Sequence, residues 1–153
     1  MAKKEKAPRD KFEMNKGNRK VGYAVAVLVN AVMIWVADSI TSWGIPFITD
    51  SFTAVQWAFN LSFLAAIIGN LLLILHDPKW FHGFVRLVMN SFGFVVALTV
   101  FFIFPFDFSA YTSFNWAGLA KILLVIGLVG SAIGIVVEAL SLILRKDLRE
   151  AKE

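Results

Sequence analysis

Six polar residues lie within long apolar stretches of this chain: Asn60, and the five best placed to do chemistry, Asn30, Asn70, Arg86, Asn90 and Glu138. A charged side chain in hydrocarbon costs about 2.5–3.5 kcal/mol on insertion scales, so such groups normally face other helices and find partners. Two interpretations are open. Arg86 and Glu138 form a structural ion pair, or they join the asparagines in a polar path for a proton, an ion or a charged substrate.

Small residues accompany two of these groups at helical spacing. Two series step by four, three and four positions: Arg86, Asn90, Gly93, Ala97 and, in reverse, Glu138, Gly134, Ser131, Gly127. If the two helices are antiparallel, Arg86 lies level with Glu138 and the small residues face each other. Small residues let membrane helices approach closely. The spacing therefore predicts a tight contact, closed at one end by the Arg86–Glu138 pair.

The first half of the chain has a weaker version of this pattern. Asn30 and Asn70 can lie at similar depth, and the second apolar stretch carries a small-residue stripe: Ala58, Ser62, Ala65 and Gly69. An interhelical contact between two amide side chains is worth about 0.6 kcal/mol in a membrane. We interpret these residues as contacts between helices, with the polar path as the alternative.

Four apolar segments must position these side chains. Hydrophobic residues make up 58% of the 153 residues and the mean hydropathy is +0.71, too apolar for a soluble domain of this size. A helix needs about 20 residues to cross ~30 Å of hydrocarbon. We predict transmembrane helices at 21–43, 53–75, 82–104 and 117–144. Lipid leaves the backbone no outside hydrogen-bond partner, so the prediction is an all-α, integral membrane, antiparallel four-helix bundle.

The basic residues predict the orientation. Residues 1–20 and 145–153 contain twelve of the fifteen Lys and Arg residues. The positive-inside rule then places both termini in the cytoplasm, in a multi-pass protein of the plasma or inner cell membrane. We predict three regions: a flexible basic arm at 1–20, a transmembrane domain at 21–144 and a charged tail at 145–153. The arm is expected to contact anionic lipid headgroups and not nucleic acid.

The two halves of the chain also resemble each other. In each of four pairs of identical residues, the two members are the same number of positions apart along the chain: Lys20 and Lys79, Pro46 and Pro105, Thr53 and Thr112, and Trp57 and Trp116. Two helices per repeat give both halves the same orientation. The pattern predicts two tandem two-helix hairpins related by a pseudo-two-fold axis along the membrane normal. The alternative is chance agreement, because Pro, Phe and Trp are common near membrane interfaces.

Other side chains give no pattern typical of an enzyme, a metal site or a cofactor site. The chain has no cysteine. His76 and His82 flank a short turn, without the further ligands that a metal requires. No nucleophile and base are spaced for catalysis, so we predict a protein that is not an enzyme. Lys121 is expected to extend toward the outer surface or to pair with a nearby carboxylate, the candidates being Asp38, Asp50 and Asp107.

Two functional hypotheses follow from these observations. The first is a non-enzymatic bundle that forms a homo-oligomer or joins another membrane protein in a larger complex. The alternative is a small homo-oligomeric transporter or channel, whose path uses Arg86, Glu138 and the three asparagines. Four helices make a thin wall around any pathway, so the alternative also requires several copies.

Overall fold

The computed structural model describes residues 8–76, 78–111 and 113–150, and all its regular structure is helical. Helix α1 spans Pro8–Ser39 and continues into one 3₁₀ turn, Ile40–Trp43. Helix α2 spans Phe52–Leu75. Helix α3 spans Lys79–Ile103, and α4 spans Trp116–Glu150. The all-α prediction is confirmed.

All four helices are long and apolar enough to cross a membrane. The candidate spans are Gly17–Trp43, Phe52–Leu75, Trp80–Ile103 and Trp116–Leu144. They agree within a few residues with the predicted 21–43, 53–75, 82–104 and 117–144, so the prediction of four helices long and apolar enough to span a membrane is confirmed. Lipid requires an unbroken apolar segment of roughly 20 residues, which is why the boundaries are readable from the sequence.

Helical backbone extends beyond the predicted transmembrane domain at both ends of the described region. Helix α1 already begins at Pro8, so the backbone of 8–20 is helical within the region predicted to be flexible. Proline suits the first turn of a helix, because its φ angle is fixed near the helical value and its missing N–H has no partner there. At the other end α4 continues to Glu150, so the backbone of 145–150 is helical too. Residues 1–7 and 151–153 lie outside the described residues.

The turn between α2 and α3 is short and is shaped by Pro78. Helix α2 ends at Leu75, and His76 adopts an extended conformation while its backbone N–H donates to the carbonyl of Leu72 at 2.8 Å. Pro78 is extended as well, and α3 starts at the next residue. The fixed φ angle of proline and its missing N–H suit the start of a helix, in keeping with the position of Pro78 directly before α3. Asp77, also part of the predicted turn, lies outside the described residues.

The helices pack in chain order. Helix α1 packs against α2, α2 against α3, and α3 against α4, but within the described ranges α1 makes no comparable contact with α4. The buried cluster contains Phe52, Val55 and Val100, and α2 contributes more buried residues than any other helix. The arrangement is therefore open between the first and last helices.

The two loops at the α1–α2 and α3–α4 connections pair with each other. Ile48 and Phe106 form an antiparallel β-bridge, flanked by hydrogen bonds from the Thr49 N–H to the Pro105 carbonyl (3.2 Å) and from the Asp107 N–H to the Phe47 carbonyl (2.9 Å). We call this region, residues 44–51 and 104–115, the loop end. The pairing joins the two halves of the chain at one end of the molecule.

Candidate functional site: polar groups within the spans

Arg86 and Glu138 lie together on the facing sides of α3 and α4. The Nη1 atom of Arg86 is 3.7 Å from Oε1 of Glu138. That separation allows an ion pair but is too long for a hydrogen bond. The Arg86 side chain is 60% exposed and the Glu138 side chain 20% exposed, so the carboxylate is the more enclosed partner. The guanidinium lies at the edge of the interface and is accessible from outside it.

Glycines allow α3 and α4 to approach closely near this pair. A Cβ added at Gly134 would lie 3.1 Å from Nδ2 of Asn90. A Cβ at Gly83 would lie 3.2 Å from Leu142 Cδ2 and 3.6 Å from Glu138 Oε2. Gly83 is buried and was not part of the predicted packing face. The close approach is thus centred on the end of the interface that holds the ion pair.

The other end of the predicted packing face is looser. A Cβ at Gly93 or Gly127 would meet no atom within 4 Å, so the structure does not bring these two glycines into close contact. Ala97 and Ser131 are half-buried. Branched apolar side chains are present at this end: Val96 of α3 and Leu124 of α4 pack against the buried cluster. Where bulky side chains fill an interface, backbones stay further apart.

Gly69, the last residue of the small-residue stripe of α2, lies against α3. A Cβ at Gly69 would lie 2.8 Å from Cγ1 of Val85 and 3.3 Å from Sδ of Met89. Gly69 therefore allows the close packing of α2 against α3, a partner that the spacing of small residues does not identify.

The three asparagines are not joined to one another. Asn30 Nδ2 donates to the Ala26 carbonyl and Asn70 Nδ2 donates to the Ala66 carbonyl, both at 2.7 Å within their own helices. Such bonds satisfy an amide locally, with no need of a second helix. Asn70 is 5% exposed and Asn30 is half-buried. Only Asn90, against Gly134, lies beside the α3–α4 ion pair.

A carboxylate–amide cluster, absent from the predicted site, joins α1 to α2. Oδ1 of Asp38 accepts hydrogen bonds from Nε2 of Gln56 and from Nδ2 of Asn60, both at 2.7 Å. The Oδ1 atom of Asn60 is buried and has no hydrogen-bond partner. Gln56 and Asn60 are four residues apart and therefore share a helix face, which the sequence does reveal. Their partner could not be read from the sequence, because it depends on the register of α1 against α2.

The other charged groups near the loop end do not reach this cluster. The ammonium of Lys121 lies 4.9 Å from the centre of the Phe104 ring, a cation–π contact. None of the described carboxylates forms an ion pair with it, Asp38, Asp50 and Asp107 included. The backbone N–H of Ser109, and with it the Ser109 side chain, holds the pKa of Asp107 below its ordinary value of 3.8.

The histidines are in ring contacts at the opposite end from the loops. His76 lies 6.1 Å from Phe81 and His82 lies 6.2 Å from Tyr23, measured between ring centres. Among the residues described, no three His, Cys, Asp or Glu side chains are grouped as a metal site would require. The prediction that the chain binds no metal or cofactor stays a prediction.

Comparison with family models, with curated proteins and with solved structures finds no match in any of the three. The class of protein therefore follows from the fold alone: a multi-pass helical membrane protein with four candidate spans.

Proposed function

We propose that this chain is a non-enzymatic membrane protein that assembles with copies of itself, or with another membrane protein, through its helix faces. In this proposal the four helices are antiparallel and form two tandem hairpins about a pseudo-two-fold axis along the membrane normal. Both termini are cytoplasmic, in the plasma or inner cell membrane, and the basic N-terminal arm contacts anionic lipid. The loop end is then the outer end.

The observation that carries the proposal is an uncovered glycine surface on α4. Gly127 and Gly130 are exposed, and a Cβ added at either would meet no atom within 4 Å. No residue of the span Trp116–Leu144 is buried. Lipid gains nothing from a glycine surface, whereas a second helix packs closely on one. This surface is therefore suited to a helix that the single chain does not supply.

Contacts between the helices support the antiparallel arrangement. Low-numbered positions of α3 meet high-numbered positions of α4: Gly83 with Leu142, Arg86 with Glu138, and Asn90 with Gly134. The number falls on one helix as it rises on the other, as oppositely directed helices require.

The paired loops support the proposed repeat. The bridge joins Ile48 to Phe106, and the adjacent hydrogen bond joins Phe47 to Asp107. Adding the repeat interval to Phe47 and Ile48 gives Phe106 and Asp107, so a two-fold axis through the bridge exchanges these two pairs. The open α1–α4 side has no equivalent on the α2–α3 side, so the pseudo-symmetry concerns the hairpins and the loop end.

Native mass spectrometry of the full chain from mild detergent tests the proposal. We expect an oligomer or a co-purifying membrane protein for the wild type. Gly130→Ile should remove the association, because the new side chain separates the surfaces. Gly22→Ile is the matched control, since Gly22 on α1 is also exposed with open space around it. A monodisperse monomer without a partner, in detergent and in liposomes, would contradict the proposal.

One observation favours the transport alternative. The Arg86 guanidinium is 60% exposed and is not hydrogen-bonded to Glu138 at 3.7 Å, so it is accessible to an anionic substrate. The asparagines give this alternative less support, because Asn30 and Asn70 bond within their own helices. Flux of a proton, an ion or a charged substrate into liposomes that contain the Glu138→Gln variant separates the two functions. Loss of this flux at wild-type stability favours transport.

A further inference from the structure

Two of the charges well inside the candidate spans have no ion-pair partner among the residues that the structure describes. Four charged residues lie well inside the spans: Asp38, Arg86, Lys121 and Glu138. Arg86 and Glu138 pair with each other. Within the side chains that the structure describes, Asp38 is bound only by amides, and Lys121 contacts an aromatic ring. A membrane-embedded charge is costly unless it is compensated, so these two call for an opposite charge.

Asp38 and Lys121 lie at matching depth. Asp38 precedes Trp43 by five residues, and Lys121 follows Trp116 by five. Trp43 ends the first span and Trp116 begins the fourth, both next to the loop end. Tryptophan at a span end marks the membrane interface. The two charges are therefore about equally far below the same interface.

Asp38 and Lys121 also lie on the two outermost helices, each of which packs against a neighbouring helix on one side only. Asp38 belongs to α1 and Lys121 to α4, and both side chains are exposed. Within one copy α1 and α4 are separated by α2 and α3 and are not packed together. An α1 surface carrying an acid and an α4 surface carrying a base are complementary, but in different copies.

We infer that α4 of one copy docks against α1 of the next, and that Lys121 of the first pairs with Asp38 of the second. This inference rests on the proposed self-association and adds a charged contact to it, on the Lys121 side of α4 and apart from the surface of Gly127 and Gly130. The interface is head-to-tail, because each copy offers an acidic α1 surface and a basic α4 surface.

The residues beneath the two charges fit a helix–helix contact. Ala31 and Trp35 lie on the Asp38 side of α1 at helical spacing, and Val125 and Val129 lie on the Lys121 side of α4. All four are exposed in the single chain. With the helices antiparallel, Ala31 comes level with Val129, about two turns below the ion pair.

The Asp38 cluster is also suited to an ammonium. Gln56 and Asn60 both donate to Oδ1, which holds the carboxylate in place and leaves Oδ2 of Asp38 open to a further donor. A lysine ammonium brings three donors and no acceptor, so it suits the outward oxygen of this carboxylate.

Charge reversal in the full chain tests the contact by native mass spectrometry. Asp38→Lys or Lys121→Asp alone should raise the dissociation constant of the oligomer about tenfold or more, because like charges then meet. The double reversal D38K/K121D should restore the wild-type value. Asp50→Lys, the same change at an exposed residue of the loop end, is the control and should leave association unchanged. Single reversals without effect, or a double reversal that fails to restore the oligomer, overturn the contact.

Cysteine cross-linking tests it without altering a charge. The wild-type chain has no cysteine, so the background is zero. A copy with Ala31→Cys and a differently tagged copy with Val129→Cys should form a mixed disulfide under mild oxidant, while either variant alone should give less than about a tenth of it. A chain with both cysteines should give a ladder of multimers. A monomeric internal disulfide instead would mean that α1 and α4 close within one copy, which overturns the inference.

The two failures are distinguishable. If the wild type remains oligomeric while the charges and cysteines have no effect, only this contact is wrong and the proposed self-association stands. If the wild type is monomeric in detergent and in liposomes, both are wrong.

Discussion

Replacement of Glu138 separates a structural ion pair from a transport site. At 3.7 Å and an effective dielectric constant near 20, the attraction between Arg86 and Glu138 is about 4 kcal/mol before any cost is subtracted. The 60% exposure of Arg86 reduces this strongly, because exposed ion pairs contribute roughly 0–1 kcal/mol net. We therefore expect Glu138→Gln to lower the free energy of unfolding by about 1 kcal/mol, with Arg86 turning outward.

Thermal unfolding in detergent, with flux measured in liposomes on the same samples, checks this expectation. The double variant R86M/E138L should recover to within about 0.5 kcal/mol of wild type, because apolar side chains then replace both charges in a tight interface. Lys121→Met, a charge removal in the same helix, is the control and should be additive with Glu138→Gln. If Glu138→Gln keeps wild-type stability and abolishes flux, the structural reasoning is refuted and transport is favoured.

Three further predictions test the packing and the loop end. Gly69→Ala should destabilise the folded protein by about 1–3 kcal/mol in thermal unfolding, since its Cβ would lie 2.8 Å from the stiff side chain of Val85. The control Gly22→Ala should be neutral or stabilising. Equal effects of the two changes would contradict the α2–α3 contact. Asn70→Leu should change stability by less than about 1 kcal/mol and leave any flux intact, because its amide bonds only its own helix; a complete loss of flux would restore the polar path. Because the pKa of Asp107 is lowered, its carboxylate stabilises the loop end above the ordinary pKa of 3.8, and this stabilisation is lost as the pH falls through the pKa of the folded state. Wild type but not Asp107→Asn should therefore lose loop-end stability in acid. An identical loss of stability in both proteins would exclude the Ser109 bonds as the cause.

The spans were readable from the sequence because lipid imposes a length and a composition on each helix. Arg86 and Glu138 were also placed together, since matching steps along two neighbouring helices define a common level. The same reasoning failed to locate the closest contacts. Gly83 and Gly69 lie at them, whereas Gly93 and Gly127 do not, because the bulk of the facing side chains decides how near two backbones come.

The Asp38 cluster shows what a single sequence leaves open. Spacing shows that Gln56 and Asn60 share one face of α2, but it does not show which residue of α1 lies opposite. The first hairpin has no matched series of small residues that would fix this register. Its offset is set instead by the 3₁₀ turn, Ile40–Trp43, and the loop that follows, whose conformation includes Gly44 at a positive φ of 61°. Local backbone geometry of this kind is not encoded in apolar periodicity.

The distribution of charge gives the strongest reason to seek function at the flanks of the molecule. Where two helices of one chain meet tightly, as α3 and α4 do near Gly134, the embedded charges are matched and the interface is complete. The outermost helices differ: Asp38 of α1 and Lys121 of α4 have opposite sign, lie at about equal depth, and form no ion pair with the described residues. If lipid alone surrounded these helices, replacing Lys121 by leucine would stabilise the monomer, because a charge would leave the membrane while the amide bonds to Asp38 stay in place. If copies associate through Lys121, the same replacement should leave the monomer folded and weaken the specificity of its association, which hetero-oligomer exchange with the wild type would measure.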